Sequence, residues 1–320
     1  MQKPTPHELA PSFLGARTWS TGQLRSRGIG KKRIRELIAA GRLTRVRTGR
    51  YVSSDVHARL VAAARLGGRL GCVSLLAAVG IFVREHEDLH IQIERGASRL
   101  PSRSPGIVAH WRVADGCSRD ALATGITDAL VEAVLCQAPR DAVATLDSAW
   151  HHGLVDENDI GEVFHRLPRR YQALRTLLDR RSEAGTETLM RLLLRALGHH
   201  VEVQVRIPGV GRVDLVVDGW LIVECDSREF HDDWSVRRKD VRRDLAAARL
   251  GYTTVRPLAE DILYAHDEMV NAMREILSHP RIGVPTAYRP ELLQSRTEQP
   301  RTGGRGRGTA PAGGVRDRRA

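Results

Sequence analysis

Three carboxylates stand in or beside two consecutive apolar runs: Asp214 in Arg212-Val213-Asp214-Leu215-Val216-Val217, and Glu224 with Asp226 in Leu221-Ile222-Val223-Glu224-Cys225-Asp226. A carboxylate inside a strand core must be paired, neutralised or metal-bound, because an isolated buried charge is too costly. Three of them on adjacent strands point to a divalent cation. The runs are joined through Asp218-Gly219, a hairpin signal, and loop length decides the geometry. A three-residue loop, Asp218 to Trp220, pairs Val217 with Leu221, sets Asp214 opposite Glu224 and turns both to one face. A two-residue loop pairs Asp214 with Val223 and sends Glu224 to the other face. The metal reading therefore requires the longer loop or an equivalent bulge.

The elements around this hairpin run helix, strand, strand, strand, helix, strand, helix over residues 182–280. Glu187 to Leu197 has the spacing of an amphipathic helix and Val201 to Val205 that of a strand. Beyond the hairpin, Trp234 to Leu250 predicts a helix with Trp234, Val241, Leu245 and Ala248 as its buried stripe; Gly251 stops it, Thr253 to Val255 returns as a strand, and Ala259 to Leu277 closes with one helix. A mixed sheet flanked by helices is the packing this order favours.

Upstream, after an N-terminal arm (residues 1–19), residues 20–55 predict two short helices and a hairpin. Ser20 or Thr21 caps the first helix, Gly28 breaks it, Lys31 to Ala40 forms the second, and Leu43 to Val46 turns through Arg47-Thr48-Gly49 into Arg50 to Val52. That is the order of a winged helix-turn-helix. Lys31, Lys32 and Arg33 open its second helix and Arg45, Arg47 and Arg50 lie on its wing, where such a unit meets DNA; a basic hairpin used only for packing is the alternative. Residues 56–181 form a mixed α/β middle region, with strands at His90 to Ile93 and Ile107 to Trp111 and helices at Asp128 to Leu135 and Ala142 to Trp150. Its histidines, the His151-His152 pair included, fall at no metal-ligand spacing and are assigned no chemistry. Residues 281–320 are rich in Pro, Gly, Arg and Thr, and disorder is expected there.

The net charge of +12 makes a polyanion the expected partner. Seven arginines against Glu298 and Asp317 give residues 296–320 net +5, so +7 remains on the rest of the chain. Aromatic residues, 4% of the chain, are too few for a base-stacking platform. Cys72, Cys117, Cys136 and Cys225 are scattered with no C-x-x-C pair, which argues against a disulfide framework or structural zinc and fits a reducing cytosol. No stretch approaches the roughly 18 apolar residues of a membrane span, so a cytoplasmic protein without membrane contact is expected.

Glu187, Arg212-x-Asp214, Glu224-x-Asp226 and Phe230-His231 together resemble the very-short-patch-repair-like branch of the PD-(D/E)XK nuclease superfamily, over about one hundred residues. Residues 20–54 resemble, less specifically, the winged-helix domain of AbiEi-type antitoxins, and Asp147-Ser148-Ala149-Trp150 resembles a linker region of such proteins. The resemblance implies an α+β multidomain protein ending in a restriction-endonuclease-like α/β/α domain with a mixed sheet. It implies Mg²⁺ or Mn²⁺ held by Asp214, Glu224 and Asp226, with Glu187 as a further or water-mediated ligand and His231 as general acid or base. Arg237, Arg238, Lys239 and Arg243 would hold phosphates. Asp226 stands where most of the superfamily has lysine, a gap that His231 or Lys239 would fill, and Ser227 stands where glycine is frequent.

Each feature has a plainer counterpart: Glu187 could simply complement its helix N-terminus, and Arg237 to Arg243 could be a solvated face. Asp218, Asp232 and Asp233 are read as turn and cap residues. The expected function is a metal-dependent endonuclease on double-stranded DNA. The alternatives are an antitoxin-like DNA-binding regulator with a silent nuclease-like domain, serving a homodimer or a toxin or defence-system partner, and an RNA-directed nuclease.

Overall fold

The computed structural model describes residues 4–98, 100–101, 105–112, 118–225 and 234–279, with backbone alone for 234–237. The chain is mixed α/β, and three short sheets organise the described residues. The first helix, α1 (Pro6–Leu14), follows from its own sequence: Thr5 and Glu8 close a capping box and Pro6 takes the first helical position. Ala10 and Phe13 enter the core of the middle region, so part of the stretch expected to be an arm is a packed helix.

Next come β1 (Trp19–Ser20), α2 (Thr21–Ser26), α3 (Lys31–Ala39), β2 (Leu43–Arg47) and β3 (Arg50–Ser53). Ser20 caps α2 by accepting from the Gln23 amide at 3.1 Å, and Gln23 accepts from the Ser20 amide in return. The strands pair antiparallel in the order β1-β3-β2. Val46 and Val52 bury into the core of the middle region, so this unit is not separately cored.

The middle region contains α4 (Ala58–Arg65), β4 (Arg69–Leu70), α5 (Cys72–Ala78), β5 (Leu89–Glu94), β6 (Ile107–Arg112), α6 (Ile126–Cys136), α7 (Pro139–His151), α8 (Glu157–Arg166) and a 3-10 helix, Arg169–Leu177. Strand β5 lies parallel to β6 and antiparallel to β4. Leu75, Leu76, Ile91, Ile93, Leu130 and Phe164 are among the residues that fill its core.

The last unit contains α9 (Gly185–Ala196), β7 (Val201–Ile207), β8 (Gly211–Val217), β9 (Leu221–Val223), α10 (Trp234–Arg249), β10 (Thr253–Val255), α11 (Ala259–Tyr264) and α12 (His266–Ser278). Its sheet has the order β10-β9-β8-β7, with β10 parallel to β9 and the other pairs antiparallel. Leu215, Val217, Leu221 and Val223 pack with α9, α11 and α12, whereas Val213, Val216 and Ile222 pack with Ala247 of α10. The sheet is thereby covered on both faces.

Two expectations for this unit are corrected. The closing helix is broken at Ala265, where the backbone leaves helical geometry, giving α11 and α12. On α10 the expected apolar stripe faces outward: Val241 is 60% and Leu245 63% exposed and Ala248 is exposed, while Ala247 is buried. The side chain of Trp234 lies outside the described residues. Among the described residues no helix is long and apolar enough to cross a membrane.

Candidate functional site

The acidic hairpin has the three-residue loop. Val217 pairs with Leu221, Val216 with Ile222 and Leu215 with Val223, and continuing that register sets Asp214 across from Glu224. The loop closes through the Trp220 amide donating to the Val217 carbonyl at 3.1 Å, with Asp218 and Gly219 both in the left-handed region that the turn requires. Asp218 also accepts from the His200 amide at 3.0 Å and stands 2.8 Å from His199 Nδ1, so it is a turn residue as expected.

Asp214 and Glu224 then diverge in their partners. One oxygen of Asp214 accepts from the Cys225 amide at 2.9 Å, and the other faces Gln204 Nε2 at 3.4 Å. The same Gln204 nitrogen donates to Glu187 at 2.9 Å, so one side-chain amide links the two acids. Glu187 also accepts from the amides of Glu183 and Ala184 ahead of its helix, which makes the helix-complementing role real without excluding another. Burial, with the charge of Asp214 added, raises the Glu187 carboxyl to about 7. Burial also raises Asp214, opposed by the Cys225 amide and helped by the charge of Glu224.

Glu224 is held by cations. It accepts from Arg243 Nη2 at 2.7 Å and from Arg256 Nε at 2.9 Å, and Arg256 also binds Asp244. Arg243 is committed further, to the carbonyls of Val210 and Arg212. Arg243, expected to hold phosphates, is thus engaged at the sheet end, with its side chain 28% exposed. Arg238 and Lys239 are exposed on α10. Asp226 and His231, and the side chain of Arg237, lie outside the described residues. Glu187, Asp214 and Glu224 do not converge on one point as a triad of ligand atoms.

Of the basic residues in the N-terminal unit, Lys31, Lys32, Arg33 and Arg45 are exposed, Arg33 in a 3.0 Å pair with Glu36. Arg50 pairs with Asp120 of the middle region at 2.6 Å while its side chain stays 43% exposed, so the β2–β3 hairpin is tied to the middle region at a residue expected to meet DNA. An open cavity of about 970 Å³ beside the β2–β3 hairpin is lined in part by Arg47, Arg50, Arg69 and Arg119.

Two features escaped the sequence pattern. Gln204 sits on β7 with a φ of 54°, a conformation rare for a non-glycine residue, and its Oε1 is buried with no hydrogen-bond partner. In the alternation Val201-Glu202-Val203-Gln204-Val205 it reads as an ordinary outward residue. The second is a cluster of Cys72, His90, His110 and Cys136, whose ligand atoms all lie within 4.8 Å of one another, the only such group of three or more among the described residues. The scattered cysteines, expected to argue against structural zinc, and two of the middle histidines, assigned no chemistry, are brought together here from four different elements, so no local spacing reports them. Burial and the adjacent Cys136 raise the Cys72 thiol, and the Cys72 hydrogen bond, joined by His110, holds the Cys136 thiol low against its own burial.

No protein-family model matches this chain, and neither does any curated protein.

Proposed function

We propose that this chain binds double-stranded DNA through a winged-helix N-terminal unit and hydrolyses phosphodiester bonds, with Mg²⁺ or Mn²⁺, in a restriction-endonuclease-like C-terminal unit. The observation that carries the reading is the linked pair of acids: Asp214, in register with Glu224, shares the amide of a strained Gln204 with a buried Glu187. Two neighbouring carboxyls whose ionisation burial opposes, with a buried amide oxygen left over beside them, form a polar site poorly satisfied by protein groups alone. Their hard oxygen donors suit Mg²⁺ or Mn²⁺. Asp214, Glu224 and Asp226 would hold the ion, which when bound supplies charge neutralisation at the phosphate and a more acidic water.

The chain's own groups set the rest. Glu187, whose carboxyl burial raises to about 7, accepts from the Gln204 amide and so positions it against Asp214. Arg243 and Arg256 hold Glu224 at the sheet end and compensate its charge until a phosphodiester arrives. Lys31, Lys32, Arg33 and Arg45 offer exposed charge to the DNA backbone; Arg238 and Lys239 offer the same from α10.

A second reading is favoured by the double clamp on Glu224, both of whose oxygens are occupied by guanidinium groups. In that reading the last unit is catalytically silent and the chain is an antitoxin-like DNA-binding regulator. Incubating the protein with duplex DNA, single strands and structured RNA in Mg²⁺ and in Mn²⁺ separates the two. Cleavage of duplex DNA that is lost in Asp214→Ala plus Glu224→Ala, with DNA retention kept, supports the nuclease. Salt-sensitive binding with no cleavage supports the regulator, and cleavage confined to RNA replaces the substrate.

A further inference from the structure

We propose that Cys72, His90, His110 and Cys136 form a tetrahedral Zn²⁺ site that staples the middle region, independently of any chemistry in the last unit. His90 Nδ1 and His110 Nε2 stand 3.2 Å apart, and Cys136 Sγ stands 3.8 Å from the same His110 nitrogen. Zinc bonds of about 2.0–2.1 Å to nitrogen and about 2.3 Å to sulfur make tetrahedron edges of about 3.3 Å between nitrogens and about 3.6 Å between nitrogen and sulfur. The observed separations are within a few tenths of an ångström of those edges.

The histidine chemistry agrees. His110 Nδ1 lies 2.8 Å from Glu132 Oε2, and Glu132 is itself held by Arg112 Nε at 2.6 Å. A proton on Nδ1, donated to this carboxylate, leaves Nε2 with its lone pair directed at His90 and Cys136. A carboxylate behind a histidine is how metal-binding imidazoles are oriented. Without a cation, His90 Nδ1 and His110 Nε2 form a short contact in which only one can donate, and both sit against a buried thiol.

The backbone is also bent toward this point. Cys72 is the first residue of α5 and has a φ of 50°, a left-handed conformation unusual for a side chain of this kind. Cys136 ends α6, and His90 and His110 come from the adjacent parallel strands β5 and β6, offset so that His110 pairs in register with Gln92. An S₂N₂ set in tetrahedral arrangement selects Zn²⁺ over the hard cations that suit the acidic hairpin. Both cysteines bind as thiolates, the Cys72 proton leaving to solvent, and two thiolates against Zn²⁺ leave a neutral centre. Four protein ligands leave no open position, so the site is structural.

The test uses the untagged full-length chain purified in reductant without chelator, with zinc measured by plasma mass spectrometry and cobalt substituted for it. The expected result is about one zinc per chain, and a cobalt form with thiolate-to-metal charge transfer and intense tetrahedral visible bands. Cys136→Ser or His110→Ala should abolish both, and Glu132→Gln should lower zinc affinity by about 10–100-fold while keeping the stoichiometry. Folded wild-type protein that keeps less than about 0.2 equivalents after zinc loading and desalting, a cobalt form without thiolate charge transfer, or a folded Cys136→Ser variant that binds zinc as well as wild type would overturn the proposal. Should the variants not fold, the cobalt spectrum of the wild-type chain decides alone.

Discussion

Glu187 offers the sharpest test of the acidic site because its predicament is energetic as well as chemical. Its carboxyl titrates near 4.5 when the chain is unfolded and at about 7 when buried beside Asp214. The folded state therefore holds a proton that the unfolded state gives up across that window. Stability from this source is fully present below about pH 4.5 and is lost as pH rises through 7. At about 1.4 kcal/mol per pH unit the whole effect is ~3 kcal/mol, of which about 2.5 kcal/mol falls between pH 5 and pH 8. Glu187 is 4% exposed, so solvent screening takes little from that figure.

The perturbation is Glu187→Gln, read as urea unfolding at pH 5 and pH 8. Glutamine loses part of the hydrogen bonding with Glu183 and Ala184 and so lowers stability at both pH values, but it does not titrate. The wild type should therefore lose about 2.5 kcal/mol more than the variant between the two conditions. Added Mg²⁺ or Mn²⁺ should return part of that loss to the wild type at pH 8 and less to the variant. Curves that run parallel within about 0.5 kcal/mol would refute the reasoning, because they would mean Glu187 is solvated or already compensated in the folded chain.

Arg191→Met should destabilise the chain by about 3–5 kcal/mol in denaturant unfolding, because it strands Asp147, which is buried and accepts from Arg191 Nη2 at 2.6 Å, Thr188 Oγ1 at 2.9 Å and the Asp179 amide at 2.8 Å; adding Asp147→Asn should recover part of the loss in a double-mutant cycle. Replacing Lys31, Lys32 and Arg33 together by Ala should weaken duplex binding uniformly across sequences and flatten the salt dependence by about 2.7 log units per log unit of salt, measured by fluorescence anisotropy. Ser20→Ala should cost about 1 kcal/mol through the lost cap of α2, read as a lowered unfolding midpoint.

The hairpin was legible because its turn signal, Asp218-Gly219, was local, but its register was not: runs buried on both faces fit a two-residue or a three-residue loop, and the structure has the longer one. The cap at Ser20 and the break at Gly28 were local in the same sense. Helix α10 was legible as a helix, from Trp234 to Arg249, but its packing face was not. Its apolar residues are few among arginines and alanines, and the face that packs is chosen by the reach of Arg243 to Glu224 and by the small Ala247, which a stripe of larger residues conceals. The break at Ala265 carries neither glycine nor proline, so periodicity ran through it. Gln204 and the cysteine-histidine cluster share a different reason: their significance lies in partners 10 to 64 positions away, which no window of sequence displays.

The contact between α7 and α9 limits how this chain can be divided. Gly185 lies so close to the ring of Phe82 that any added Cβ would collide with it at 2.2 Å, and the Phe82 amide in turn donates to Ser148. With Arg191 reaching across to Asp147 at the same seam, a cut near residue 182 would not release two tidy modules; it would open a dry surface bearing a charge on each half. Swapping the last unit onto a different N-terminal half would need that surface rebuilt, so the halves are expected to be inherited together.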